Sequence, residues 1–266
     1  MRHHDVSQGL TSRAKDGALT HTVADYLREG PFTLVLSAGF FGFYAHAGAL
    51  AAIVEAGLAP ARVAGASAGA LVGGLHAGGV PHGDITEELL SLRREHFWDP
   101  APGAGLLRGG LFRARVKKLL RHETFEDAPV PAALSTWDVR TRRTVVQRTG
   151  DLATAICASC AFPVLLQPVR IGGRLQLDGG IADRPAHASL TPGERVLFHH
   201  LPEQSPWRFG KTPIPRRVGM VTVAPPDLPR LGPFALEEGR RAHDLARDHM
   251  RRSLDDMLAA QVERPR

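Results

Sequence analysis

The stretch from Arg62 to Gly79, RVAGASAGALVGGLHAGG, constrains the fold more than any other part of the chain. A Val-Ala step suited to extended backbone leads into Gly65-Ala66-Ser67-Ala68-Gly69, and helix formers follow. From Ala64 to Ala70 no side chain is larger than that of serine. Such a run permits a sharp strand-to-helix turn that lifts one hydroxyl, that of Ser67, into open space. Gly65 and Gly69 fit this reading because a Cβ there would collide with neighbouring backbone. A helix that starts at the serine also brings free N–H groups and a positive dipole end close to it. Without a partner for the hydroxyl, the same run is only a tightly packed turn.

The neighbouring segments supply the context that this turn needs. FTLVLS (32–37), bounded by Pro31 and Gly39, predicts a buried strand. HAGALAAIVEAGL (46–58) predicts a helix stopped by Gly57 and Pro60, ARVAG (61–65) a second strand, and 68–79 a second helix. Alternation of this kind argues for a parallel sheet with helices packed on it. Further along, helices are predicted over 22–29, 84–98, 111–122, 152–159 and 234–261, with a flexible loop at 99–110 and a surface loop at 224–233. Segments 132–139 and 144–149 read as strands paired about the turn RTRR. Extended segments flank Gly172-Gly173 over 164–180, and two late strands are expected at 196–200 and 217–224. Residues 1–30 read as a partly flexible N-terminal extension, and 31–261 as one domain.

Composition narrows the functional classes. At 266 residues, 43% hydrophobic and 23% charged, the chain can bury a real core. Its net charge of +6 suits peripheral contact with an anionic membrane surface. No base-reading motif or aromatic–basic array points to nucleic acid. Cys157 and Cys160 form a lone C-A-S-C pair, too few for a four-sulfur metal site or a disulfide framework, and read as buried free thiols. No metal or cofactor is called for. The first 30 residues contain no apolar signal-peptide core, so a cytoplasmic location is expected. Residues 33–54 carry no formal charge and are long enough to span a bilayer, but their glycines and His46 favour strand, loop and helix over one spanning helix. LFRARVKKLLRH (111–122) sets an apolar stripe among five Arg and Lys residues. That suits either a bilayer interface or packing against the body.

A serine nucleophile needs a base and an oxyanion hole. SAGFFGF (37–43) leaves the first strand as a glycine-containing loop, with Gly39 and Gly42 as hinges around the amides of Phe40 and Phe41. Phe40, Phe41, Phe43 and Tyr44 read as pocket lining or core. LQLDGG (175–180) ends an apolar segment on Asp178, where Gly179 and Gly180 allow a second backbone to come close.

Together, and in this order, the loop AGFFGF, the run GASAG and the later DGG resemble the patatin-like phospholipase family over about residues 31–255. The resemblance implies a three-layer α/β/α sandwich with a mainly parallel central sheet. It implies hydrolysis of lipid acyl esters, of phospholipase A or lysophospholipase type, by a Ser67–Asp178 dyad without metal; in such a mechanism the amide of Ala68 joins those of the 39–42 loop in the oxyanion hole. The loop departs from the family's usual G-G-G-x-R-G, having Ala38 and Phe40 at glycine positions and Gly42 at the arginine position. Two rival readings accompany this one. The first is a Ser–Asp–His α/β-hydrolase drawing on His187, His199, His200, His243 or His249, which all follow Asp178. The second is a catalytically silent protein that binds acyl lipid or a protein partner.

Overall fold

The structure is a computed structural model that describes residues 21–202 and 214–258. The flexible reading of residues 1–20 and the last three residues of the predicted 234–261 helix lie outside them. The first half of the chain runs α1 (Val23–Arg28), β1 (Thr33–Leu36), α2 (Phe43–Glu55), β2 (Arg62–Ala66), α3 (Ala68–Ala77), α4 (His82–Leu90), β3 (Gly105–Leu107) and α5 (Gly110–Leu119). The second half runs β4 (Ala132–Asp138), β5 (Arg143–Gln147), α6 (Leu152–Ser159), β6 (Val164–Leu166), β7 (Val169–Ile171), β8 (Arg174–Asp178), β9 (Val196–His199), β10 (Met220–Val223) and α7 (Gly239–Asp255).

The fold is α/β with a mainly parallel sheet. Strands β10, β9, β1, β2 and β4 lie side by side in that order, all parallel. Strands buried on both faces read as near-continuous apolar runs, and β1 is buried throughout. The other pairings of β4 are antiparallel: β5 pairs with Leu134–Asp138, β8 with Thr136–Asp138, and β7 extends β8. Side chains alternate across the sheet. Leu34, Leu36, Leu134, Leu197 and Val221 face a large core to which all seven helices contribute. Val35, Ala64, Ala66, Phe198 and Met220 face the other way, where Ala186 and Leu190 of the segment after Asp178 cover them.

Several elements differ from their sequence reading for local reasons. Helix α2 starts at Phe43, three residues early, because Gly42 closes a turn onto the Gly39 carbonyl (2.9 Å) and serves as the helix's N-cap. Helix α4 ends at Leu90, and the chain is extended again at Arg93 before a single 3₁₀ turn at Arg94–His96. The loop 99–110 contains β3, which pairs in parallel with β6. Helix α7 begins at Gly239 rather than 234. The uncharged stretch 33–54 divides into β1, a loop and α2, and no helix among the described residues is long and apolar enough to cross a membrane. Most of the apolar stripe of α5 is used internally: Val116 and Leu120 are buried in the core and Leu119, with Phe112, packs against it, whereas Leu111 stays exposed.

Two histidines are fully buried where α2 meets β9. The Ser37 carbonyl can only accept, so His46 Nε2 donates to it (2.8 Å), leaving Nδ1 to accept from His199 Nδ1 (2.8 Å). Burial, opposed by the Ser37 carbonyl and aided by His200 and Arg184, holds His46 down at about 3. Burial also holds His199 well below the usual range and His187 at about 4. These groups stay neutral in the folded chain and take up protons on unfolding below about pH 6.5. Stability is therefore expected to fall as pH drops from about 6.5 toward 4, by up to about 1.4 kcal/mol per pH unit for each such histidine. Thermal unfolding between pH 7 and 5, where carboxylates remain ionised, checks this. The slope should be shallower in a His46→Gln, His199→Gln double variant.

Candidate active site

Ser67 sits between β2 and α3 with φ 52° and ψ −119°, a backbone conformation costly for any residue with a Cβ. A serine at a helix N-terminus ordinarily turns its hydroxyl onto the helix's own amides. Here no such cap forms, and Oγ instead donates to Asp178 Oδ2 at 2.6 Å. Packing around the turn compensates for the strain. A Cβ on Gly65 would stand 2.6 Å from the Gly69 carbonyl oxygen, and one on Gly69 would stand 2.1 Å from that of Leu36, so only glycine lets strand and helix meet this closely. The Ser67 N–H donates to Ser159 Oγ (2.9 Å), whose O–H in turn donates to the Ser135 carbonyl (2.6 Å), tying the turn to α6 and β4.

Asp178 arrives from the opposite direction at the end of β8. Its N–H donates to the Ala161 carbonyl (3.0 Å), and its Oδ1 accepts from Gly180 N–H (2.7 Å). The carboxylate is 3% exposed. Gly179 packs so tightly that a Cβ would lie 2.0 Å from the Ser135 carbonyl oxygen, and one on Gly180 would lie 2.6 Å from the Ala38 Cβ.

The loop from β1 to α2 borders the same space. Gly39, Phe40 and Phe41 line it with Ser67, Ala68 and Asp178, and Phe41 has φ 52°. Among the described residues the amides of Gly39, Phe40, Phe41 and Ala68 donate to no other group. Gly42 differs from its sequence reading, since its N–H is taken by the Gly39 carbonyl and the residue closes the turn.

These groups open onto a cavity of about 180 Å³. Its wall is overwhelmingly apolar: Phe40, Phe41 and Phe43 from the loop, Leu71 and Leu75 from α3, then Phe97, Leu107, Phe112, Val116, Phe162 and Leu166. Tyr44 belongs to the core instead, 1% exposed. The sequence reading missed the part of the wall built by residues 88–119, including His96 and the Glu88–Arg115 ion pair. The stripe of α5 was the available signal. Cys160 donates to the Ser67 carbonyl (3.2 Å), and Cys157 and Cys160 are both free. Burial first, and the nearby Asp178 carboxylate second, push the Cys160 thiol well above its usual range, so it stays protonated.

None of the five histidines of the rival triad lines the cavity. His199 pairs with His46, His187 stacks edge-on against Phe198 (4.7 Å between ring centres), and His200 lies 5.3 Å from the same ring. His243, on α7, contacts Asp244, and His249 lies further along that helix.

Comparison with known proteins gives the family and the fold. The patatin-like phospholipase family matches residues 34–190, more than half of the chain, and the chain belongs to that family. Uncharacterized NTE family proteins of Mycobacterium bovis and Mycobacterium tuberculosis are each 34% identical to it over 86 residues, covering 32% of this chain and 24% of theirs. The match thus spans about a quarter of those relatives' length. Among solved structures, VipD from Legionella pneumophila matches with a TM-score of 0.56 and 16% identity, over 85% of this chain and 67% of that one. The type III effector protein ExoU of Pseudomonas aeruginosa matches with a TM-score of 0.50 and 15% identity, over 84% and 52%. At this identity the likeness is one of fold.

The close approach of β8 to β4 is testable. Gly179→Ala should destabilise the protein by about 3 kcal/mol or more, because backbone must shift to admit the methyl. Gly83→Ala, in α4 with open space around it, should be neutral or stabilise by up to about 1 kcal/mol. Denaturant titration of both variants measures the contrast.

Proposed function

We propose that this member of the patatin-like phospholipase family is a serine lipid acyl hydrolase of phospholipase A or lysophospholipase type. One observation carries the reading: the 2.6 Å contact between Ser67 Oγ and a buried Asp178 at the floor of an apolar cavity. Asp178 Oδ2 takes the Ser67 proton as Oγ attacks the ester carbonyl carbon. The amides of Gly39, Phe40 and Phe41, with that of Ala68, stabilise the developing oxyanion. Collapse expels the alcohol, which leaves with the proton from Asp178. Water then attacks the acyl-enzyme, gives a proton to Asp178, and the fatty acid departs as Ser67 regains its own. A carboxylate is a weak base for serine, and the near-complete burial of Asp178 together with its fixed Oδ1 compensates. The cavity accepts one acyl chain, and no step needs a metal or cofactor.

Hydrolysis of p-nitrophenyl butyrate and of phosphatidylglycerol vesicles tests the reading. Ser67→Ala and Asp178→Asn should each lower kcat by about 10³-fold or more. Alanine variants of His187, His199, His200, His243 and His249 should retain activity wherever they fold. A fluorophosphonate should label wild type and spare Ser67→Ala. A folded histidine variant that loses activity would restore the triad. A wild type inert to every ester and to the probe would leave the silent lipid- or protein-binding reading.

Peripheral membrane contact falls, on this reading, to the small β3–β6 sheet rather than to α5. Leu107 and Leu166 of this sheet line the cavity, whereas Leu106 and Val164 are 49% and 75% exposed, and Leu111 beside them 44%. Arg108 and Lys118 are exposed nearby and suit anionic headgroups. Val164 also has φ 71°, which costs a β-branched residue about 1–2 kcal/mol. Val164→Gly should raise the unfolding temperature while weakening binding to phosphatidylglycerol vesicles, and hydrolysis of the soluble ester should be unchanged. Vesicle sedimentation and a thermal melt measure the two effects.

A further inference from the structure

The amide-bearing loop is short, and Phe41 at its tip is strained, so its position must be imposed from outside. Four hydrogen bonds anchor its base. Ser37 N–H donates to the His199 carbonyl (3.2 Å), and Ala38 N–H to the Arg184 carbonyl (2.7 Å). Leu201 N–H donates to Ser37 Oγ (2.9 Å), and His46 Nε2 to the Ser37 carbonyl (2.8 Å). Leu201 also presses on the turn itself. Its Cδ1 would lie 2.6 Å from a Cβ on Gly39 and 2.3 Å from one on Gly42, so the leucine rests directly on both glycines.

Arg184 connects these contacts. Its Nη1 and Nη2 both donate to the Leu201 carbonyl, each at 3.1 Å. The residue therefore reaches the loop twice, through its own carbonyl on Ala38 and through its guanidinium on the leucine covering Gly39 and Gly42. Ser37, Ala38, Arg184 and Leu201 close a ring, with Ser37, Arg184 and Leu201 only 0%, 6% and 2% exposed. Burying a guanidinium is costly unless its donors are used. Arg184 also borders the cavity, so a second use, pairing with a substrate phosphate, has to be distinguished.

We infer that Arg184 is a positioning residue, which holds the 38–42 amide turn over Ser67 by clamping the Leu201 carbonyl, and that it is not a phosphate-binding group. This rests on the hydrolase reading above. An arginine fork reaches one carbonyl with two donors, which a lysine reproduces only as a single charge.

Arg184→Met, Arg184→Lys and Ser37→Ala test it, on p-nitrophenyl butyrate, which has no phosphate, and on phosphatidylglycerol vesicles. Arg184→Met should lower kcat about 10- to 100-fold on both substrates with KM within about twofold, the pattern of a lost transition-state contact. Arg184→Lys should recover part of that loss. Adding Ser37→Ala to Arg184→Met should cost little more, because both break one ring. A rise in KM confined to phosphatidylglycerol, with the soluble ester unaffected, would overturn the inference in favour of phosphate binding. Amide hydrogen exchange over residues 37–44 gives a readout independent of activity. It should quicken in Arg184→Met, and in Arg184→Lys should the methionine variant not fold; unchanged exchange overturns the inference. Faster exchange in a protein whose wild type hydrolyses nothing would support the clamp while removing the hydrolase reading.

Discussion

The site depends on one shared strand edge. Strand β4 is flanked on one side by β5, which pairs with it from Leu134 to Asp138. Its other side is divided between two strands. Parallel β2 covers the first half up to Ser135, and antiparallel β8 covers the rest from Thr136. Because β2 and β8 run in opposite directions, their C-terminal ends meet head to head at the Ser135–Thr136 step. Ala66 lies opposite Ser135 and Asp178 opposite Thr136, so the residue after β2 and the last residue of β8 face each other. The 2.6 Å contact between Ser67 and Asp178 follows from this register. A slip of one residue in either strand would turn the side chain to the other face of the sheet.

The strain at Ser67 is sustained by its surroundings. Its backbone conformation costs on the order of 1–3 kcal/mol, and its hydroxyl forgoes the usual helix cap. Glycine contacts to Leu36 and within the turn, together with the Ser159 bridge to β4, leave the backbone no alternative arrangement. The hydroxyl is thereby held on the carboxylate. Asp178 is fixed with equal firmness, since Gly180 holds one oxygen and Ala161 the backbone.

The cavity is assembled from parts distant in sequence. Its floor joins the first strand–helix units to Asp178 at the end of β8, whereas much of its wall comes from α4, α5 and the β3–β6 pair. This division explains why α5 looks like a membrane helix when read alone. Most of its apolar stripe is a wall, and Leu111 and its charged face are what remain for solvent. The same logic applies to the histidines. Of the five that follow Asp178, His187, His199 and His200 are drawn into packing around Phe198 and His46, a use that chain order cannot reveal.

The sequence by itself determined the local features. The strand–turn–helix around Ser67, the glycines at 65, 69, 179 and 180, the parallel sheet and Asp178 at a strand end all follow from short-range sterics and hydrophobic patterning, which act within a few residues. Tertiary structure decided what depends on contacts between distant segments. It paired three-residue β3 with β6, a match with almost no local signal. It brought Gly42 into a turn that uses up its amide, and it set Arg184 against Leu201 beside a loop well over a hundred residues earlier. Closure of such contacts is governed by which surfaces meet when the core is packed, and a residue's immediate neighbours carry no record of that.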